Sequence, residues 1–78
     1  MVTWDIEVTD TFSGQANYSW VYRYAISIPG GISYLALVRR IKSVTGYSGI
    51  RGHTYVSGDF VEIRFPERCV VIFANVRH

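Results

Sequence analysis

The chain is short of nearly everything that staples, anchors or catalyses. It has one cysteine, Cys69, so no disulfide can close within it, and its two histidines, His53 and His78, are too far apart in sequence to read as a zinc-ligand set. No apolar run approaches the roughly 18 residues of a membrane span. No basic segment followed by an apolar stretch opens the chain, so the expectation is a cytoplasmic protein with no membrane role. Charged residues are only 18% of the total, below the roughly 25% of an average soluble domain. Acidic residues are missing altogether between positions 11 and 58, where Arg23, Arg39, Arg40, Lys42 and Arg51 lie. The middle of the chain is therefore basic although the net charge is only +2.

What is present is a folding pattern. Seventy-eight residues, 49% of them hydrophobic, supply one core and no more, so residues 1–78 are read as a single domain. Residues 2–9 alternate, with Val2, Trp4, Ile6 and Val8 on one face and Thr3, Asp5, Glu7 and Thr9 on the other, as in a half-buried strand. Asp10 to Asn17 read as a turn or loop from which Phe12 folds back onto the domain. A longer alternating run from Tyr18 to Ile28 puts Tyr18, Trp20, Tyr22, Tyr24, Ile26 and Ile28 on one face. It stops at Pro29-Gly30-Gly31, because proline lacks the donor that a sheet ladder needs.

The period then changes. Tyr34, Leu37, Val38, Ile41, Val44 and Thr45 recur at spacings of three and four, predicting an amphipathic helix with Ser33 as N-cap and Gly46 as the residue that ends it. Ile50–Val56 and Phe60–Phe65 predict a hairpin about Ser57-Gly58-Asp59. Arg68–Val76, apolar on both faces around Cys69 to Ala74, predicts an interior strand. The reading is α+β: an antiparallel sheet of four to five strands in ββαβββ order, one helix packed on one face, and the tyrosine-rich stripe as the face that receives it.

Chemistry finds little support. Cys69 in an apolar strand would be buried and inert, the six carboxylates occupy isolated outward positions or turns, and Pro29–Ser33 is a plain strand-to-helix connection. No catalytic residue, metal ligand or cofactor site is proposed, and the chain is read as non-enzymatic. Binding fits better. Arginine outnumbers lysine seven to one, and arginine and tyrosine are the residues that interfaces favour. The candidate contact residues are Arg39, Arg40 and Lys42 on the helix, with Arg23, Tyr47 and Arg51 as neighbours. A nucleic-acid regulator using this basic helix face and the sheet aromatics is the alternative. Arg51-Gly52-His53-Thr54-Tyr55-Val56 resembles in part the aromatic strand of RNA-recognition motifs, but that fold needs two helices and a second signature strand.

Asp10-Thr11-Phe12-Ser13-Gly14-Gln15-Ala16-Asn17-Tyr18-Ser19-Trp20-Val21, followed by the Arg39-Arg40 helix and Ser48-Gly49-Ile50-Arg51, resembles short uncharacterised proteins of bacteriophages and other mobile elements. The resemblance covers most of the chain and departs at Ser13-Gly14-Gln15, where those proteins have Gly-Gly-Glu. It implies a small phage protein that binds and blocks a host protein. The anti-CRISPR and other anti-defence inhibitors are the class of that size, and a CRISPR effector subunit is the partner they suggest. Such inhibitors share no fold or motif, so no functional residue is carried over. Acidic mimicry of DNA is excluded by the basic balance. Self-association through sheet edges stays open as a third reading.

Overall fold

In the computed structural model, which describes all 78 residues, the element order is β1 (Val2–Phe12), β2 (Gln15–Ile28), α1 (Tyr34–Thr45), β3 (His53–Ser57), β4 (Phe60–Phe65), a 3-10 turn at Pro66–Arg68 and β5 (Val70–Val76). The strands form one antiparallel sheet in the order β2-β1-β5-β4-β3. The α+β class and the ββαβββ order hold. β5 takes the centre because its residues are apolar on both sides: Val70, Val71, Ile72 and Ala74 are all buried.

The helix begins and ends where its caps require. Ser33 is extended and its hydroxyl accepts the Ala36 N–H at 3.2 Å. At the other end Gly46 adopts φ +86°, and the N–H groups of Gly46 and Tyr47 donate to the carbonyls of Ser43 and Lys42. This left-handed closure is the Schellman pattern, which favours glycine because a Cβ would be strained there. Leu37, Ile41 and Thr45, four residues apart, point into the sheet. Leu37 and Ile41 share one core with Trp4, Ile6 and Val8 of β1, Val61, Ile63 and Phe65 of β4, and Val70, Ile72 and Ala74 of β5.

The tyrosine-rich stripe is not the receiving face. Of its six residues only Ile28 is buried, Tyr24 and Ile26 pack partly against the core, and Tyr18, Trp20 and Tyr22 are 52%, 36% and 60% exposed. Length explains the outcome. Twelve helical residues span roughly 18 Å, whereas the fourteen of β2 run to about 46 Å, and β2 is an edge strand while α1 sits over the middle of the sheet. The two tryptophans accordingly part company, Trp4 in the core and Trp20 at the surface.

Four other expectations change. The loop at Asp10–Asn17 shrinks to a two-residue turn, since β1 and β2 continue to Phe12 and from Gln15. Ser13 (φ 52°) and Gly14 (φ 81°) both adopt the left-handed region that such hairpin turns need. Phe12 is carried outward on this extended hairpin and is 72% exposed rather than folded back. Cys69 lies ahead of β5 as the left-handed residue that ends the 3-10 turn (φ 52°), and its side chain is exposed rather than buried. β3 spans His53–Ser57 rather than Ile50–Val56, and Gly52 just ahead of it passes tight against β4: a Cβ there would lie 2.8 Å from both the Arg64 carbonyl and the Phe65 ring.

These contacts set the cost of substitution. Ile41→Ala, which empties a fully buried site, is expected to cost about 2–5 kcal/mol. Gly52→Ala is expected to cost about 1–3 kcal/mol by overpacking, and Tyr34→Ala, exposed on the same helix, to stay within about 0.5 kcal/mol. Equilibrium urea unfolding of the three variants orders them.

Candidate binding surface

The sheet separates the charges. Alternation and register put Asp5, Glu7, Arg23, Glu62, Arg64 and Phe73 on the face away from the helix. There the carboxylates are taken up: Glu7 by Arg23 at 3.4 Å, Glu62 by Arg64 at 2.7 Å and Asp5 by Arg77 at 2.5 Å. Asp59 pairs with His78 at 3.1 Å. The Arg77 guanidinium hydrogen-bonded to Asp5 holds that carboxyl below its ordinary range, and Asp5 in turn raises Arg77. Arg64 also donates to the Gly14 carbonyl at 2.6 Å and so ties the β1–β2 turn across the sheet. That clamp accounts for the burial of Thr9 and Val71, which alternation alone would leave open to water.

The helix side carries the opposite pattern. Arg39, Arg40, Arg51 and Arg68 are exposed and have no carboxylate partner, and the one carboxylate nearby, Glu67, is exposed in the 3-10 turn. Arg39 and Arg40 line a groove of about 580 Å³ between α1 and the loop after it, together with Lys42, Ser43, Ser48 and Gly49. Lys42 is tied down: its ammonium donates to the Ile50 carbonyl at 2.8 Å and lies 5.6 Å from the centre of the Phe65 ring. It fixes the wall of the groove. Arg51 and Arg68 share a second depression with His53 and Glu67. Tyr47 stacks on Phe65 with ring centres 4.8 Å apart, and burial pushes its hydroxyl pKa up while nearby Arg68 pulls it down.

Of the residues that the sequence nominated, the structure brings together Arg39, Arg40 and Lys42. It sets Arg51 and Tyr47 on the same side of the molecule. Arg23 is not a neighbour of these; it stands on the far face of the sheet against Glu7, because an odd-numbered position of β2 points away from the side that Tyr22, Tyr24 and Ile26 share. Sequence reasoning missed Arg68, which a strand assignment hid, and it missed Trp20 and Tyr22 as surface. Their rings lie 5.4 Å apart, tilted by 42°.

A wide bulge shapes the end of β2. Thr9 faces Val21 and Thr11 faces Ala16, so Asp10 alone stands opposite Asn17 through Trp20. Asp10 gathers this excess: its carboxylate accepts the Ser19 hydroxyl at 2.7 Å, the Asn17 amide at 2.9 Å and the Ser19 N–H at 2.9 Å. Those bonds, the Ser19 hydroxyl first, lower its pKa to about 2. Tyr18 adopts φ 56° within the bulge, which turns its ring to the far face beside Glu7 and Arg23, where burial first and the Glu7 charge second raise its pKa. No known protein family, curated protein or solved structure matches this chain.

Asp10 makes the bulge acid-sensitive. Its pKa is depressed on folding, so its stabilisation is complete above the ordinary carboxyl value of 3.8 and is lost as pH falls toward about 2. Thermal melts of the wild type should fall across that window, and Asp10→Asn, which does not titrate, should show a shallower fall over the same range.

Proposed function

We propose that this chain is a non-enzymatic binding protein that docks its helix side on an acidic surface of a host protein and blocks it. The observation that carries this reading is the charge partition. The far face of the sheet neutralises its own carboxylates, while Arg39, Arg40, Arg51 and Arg68 on the other side are left without an internal partner. Arginine of this kind offers a planar, bidentate donor to carboxylates without first breaking an intramolecular pair. Tyr47 is half-buried near Arg68, and Trp20 and Tyr22 are exposed elsewhere on the molecule; these are aromatic types that concentrate binding energy at interfaces. The likeness to short phage proteins supports an anti-defence inhibitor within this reading, with a CRISPR effector subunit as the first partner to try.

The same aromatics favour a second reading. Exposed rings on a molecule that also carries unpaired arginines suit single-stranded nucleic acid, whose bases stack while its phosphates take the cations. The two readings part on salt. Contact with n phosphates gives a slope of about −0.7n in log affinity against log salt on a single strand.

Immobilised wild-type protein is expected to retain a host protein from lysate that the Arg39→Glu/Arg40→Glu variant fails to retain, a loss of at least about tenfold in affinity. The melting temperature of the variant should change little, since both side chains are exposed and unpaired. Equal retention by the variant removes the helix face from the proposal. Binding of labelled oligonucleotides that weakens steeply with salt, with no protein retained, favours the second reading.

A further inference from the structure

The outer edge of β2 is unguarded. β2 is the terminal strand of the sheet, with β1 as its only neighbour. Edges of this length are ordinarily protected by lysine, proline, covering segments or distortion. From Val21 to Ile28 there is no lysine and no proline, the one charge is Arg23, and the bulge ends at Trp20. The opposite edge, β3, is only five residues long, which is itself a protection.

The hydrogen-bond phase identifies the free groups. The Arg77 N–H donates to Thr3 O and the Thr11 N–H donates to Cys69 O, so the odd-numbered residues of β1 direct their backbone groups to β5. The even-numbered ones, Val2 to Val8, therefore bond to their β2 partners Ile28, Ile26, Tyr24 and Tyr22. That leaves Val21, Arg23, Ala25 and Ser27 with both N–H and C=O directed away from the sheet.

These four positions are self-complementary. We infer that β2 pairs antiparallel with β2 of a second copy of this chain about a two-fold axis at Tyr24, joining the two sheets edge to edge. In that register Val21 faces the partner's Ser27 and Arg23 faces the partner's Ala25, each as a hydrogen-bonded pair, so all the free groups are used in about eight interchain bonds. On the helix side Tyr24 meets its own copy, and Tyr22 meets the partner's Ile26. These three side chains are only partly covered by the core or, for Tyr22, exposed, and cross-strand aromatic and β-branched pairs are stabilising. Sliding the strands by two residues either sets Arg23 against the partner's Arg23 or leaves Val21 unpaired. Charge and hydrogen bonding thus select one register.

Two variants test this against sedimentation velocity of the wild type from low to high micromolar concentration. The wild type is expected to run at twice the mass of the chain. Ala25→Pro removes one outward N–H without touching the β1 ladder, and it is expected to halve that mass while keeping the wild-type circular dichroism. In a Cys69→Ser background, which removes the exposed native thiol, Tyr24→Cys is expected to form an interchain disulfide on mild oxidation, because facing non-hydrogen-bonded positions bring their Cα atoms to about 4.5 Å. A monomeric wild type throughout overturns the inference, as does a dimer that survives Ala25→Pro. A dimer that yields no Tyr24→Cys cross-link overturns the register. None of these readouts depends on the arginine-lined helix side.

Discussion

One short helix has to seal one face of a five-stranded sheet, and it is too small to do so. Its twelve residues cover the centre, where β1, β5 and β4 present Ile6, Ile72 and Ile63, and the buried ladder of Leu37, Ile41 and Thr45 spends the apolar face of α1 on those strands. Everything beyond that shadow becomes surface regardless of its hydrophobicity. The upper part of β2 therefore shows Trp20 and Tyr22 to solvent, and the hairpin beyond it shows Phe12. A large aromatic surface is a direct consequence of a cover that is too narrow.

The far face solves the same shortage differently. With no second layer to shield it, it is closed by paired charges and by Arg64 reaching the Gly14 carbonyl, so the carboxylates of β1 and β4 are used within the fold. Exposed pairs of this kind contribute only about 0–1 kcal/mol each, so their main effect is on the balance of the surface. By consuming the acids on one side they leave the cations of the other without partners. The +2 net charge is thus a poor guide to the local field, which the acid-free stretch between residues 11 and 58 represents better.

The elements were legible where a local rule and the global fold agree. Ser33 and Gly46 mark the helix because capping is local chemistry, and β5 announced its central place by being apolar on both sides. The stripe on β2 misled because period-two alternation does not report whether anything lies over a face, and because the bulge turns Tyr18 to the opposite one. The strand's place at the sheet edge is set by long-range pairing. Asp10 was equally opaque: its role depends on a register shift that sets it against Asn17 and Ser19, and the alternating letters continue undisturbed through the bulge. Arg68 belongs to the candidate surface because Pro66 starts a 3-10 turn, whereas the apolar run after it reads as though the strand had already begun.

The arginine-lined helix side and the free edge of β2 reinforce one another through symmetry. Antiparallel pairing about an axis normal to the sheet leaves each helix on the same side, so the joined molecule presents Arg39 and Arg40 twice in one direction. A second docking event then becomes intramolecular, and weak single contacts add up to a much stronger combined one when the partner repeats at matching spacing. That arrangement favours an extended or repeating acidic target over a lone pocket, and it gives the exposed aromatics a defined place. Tyr22 and Tyr24 line the seam between the copies, while Trp20 stays exposed beyond it.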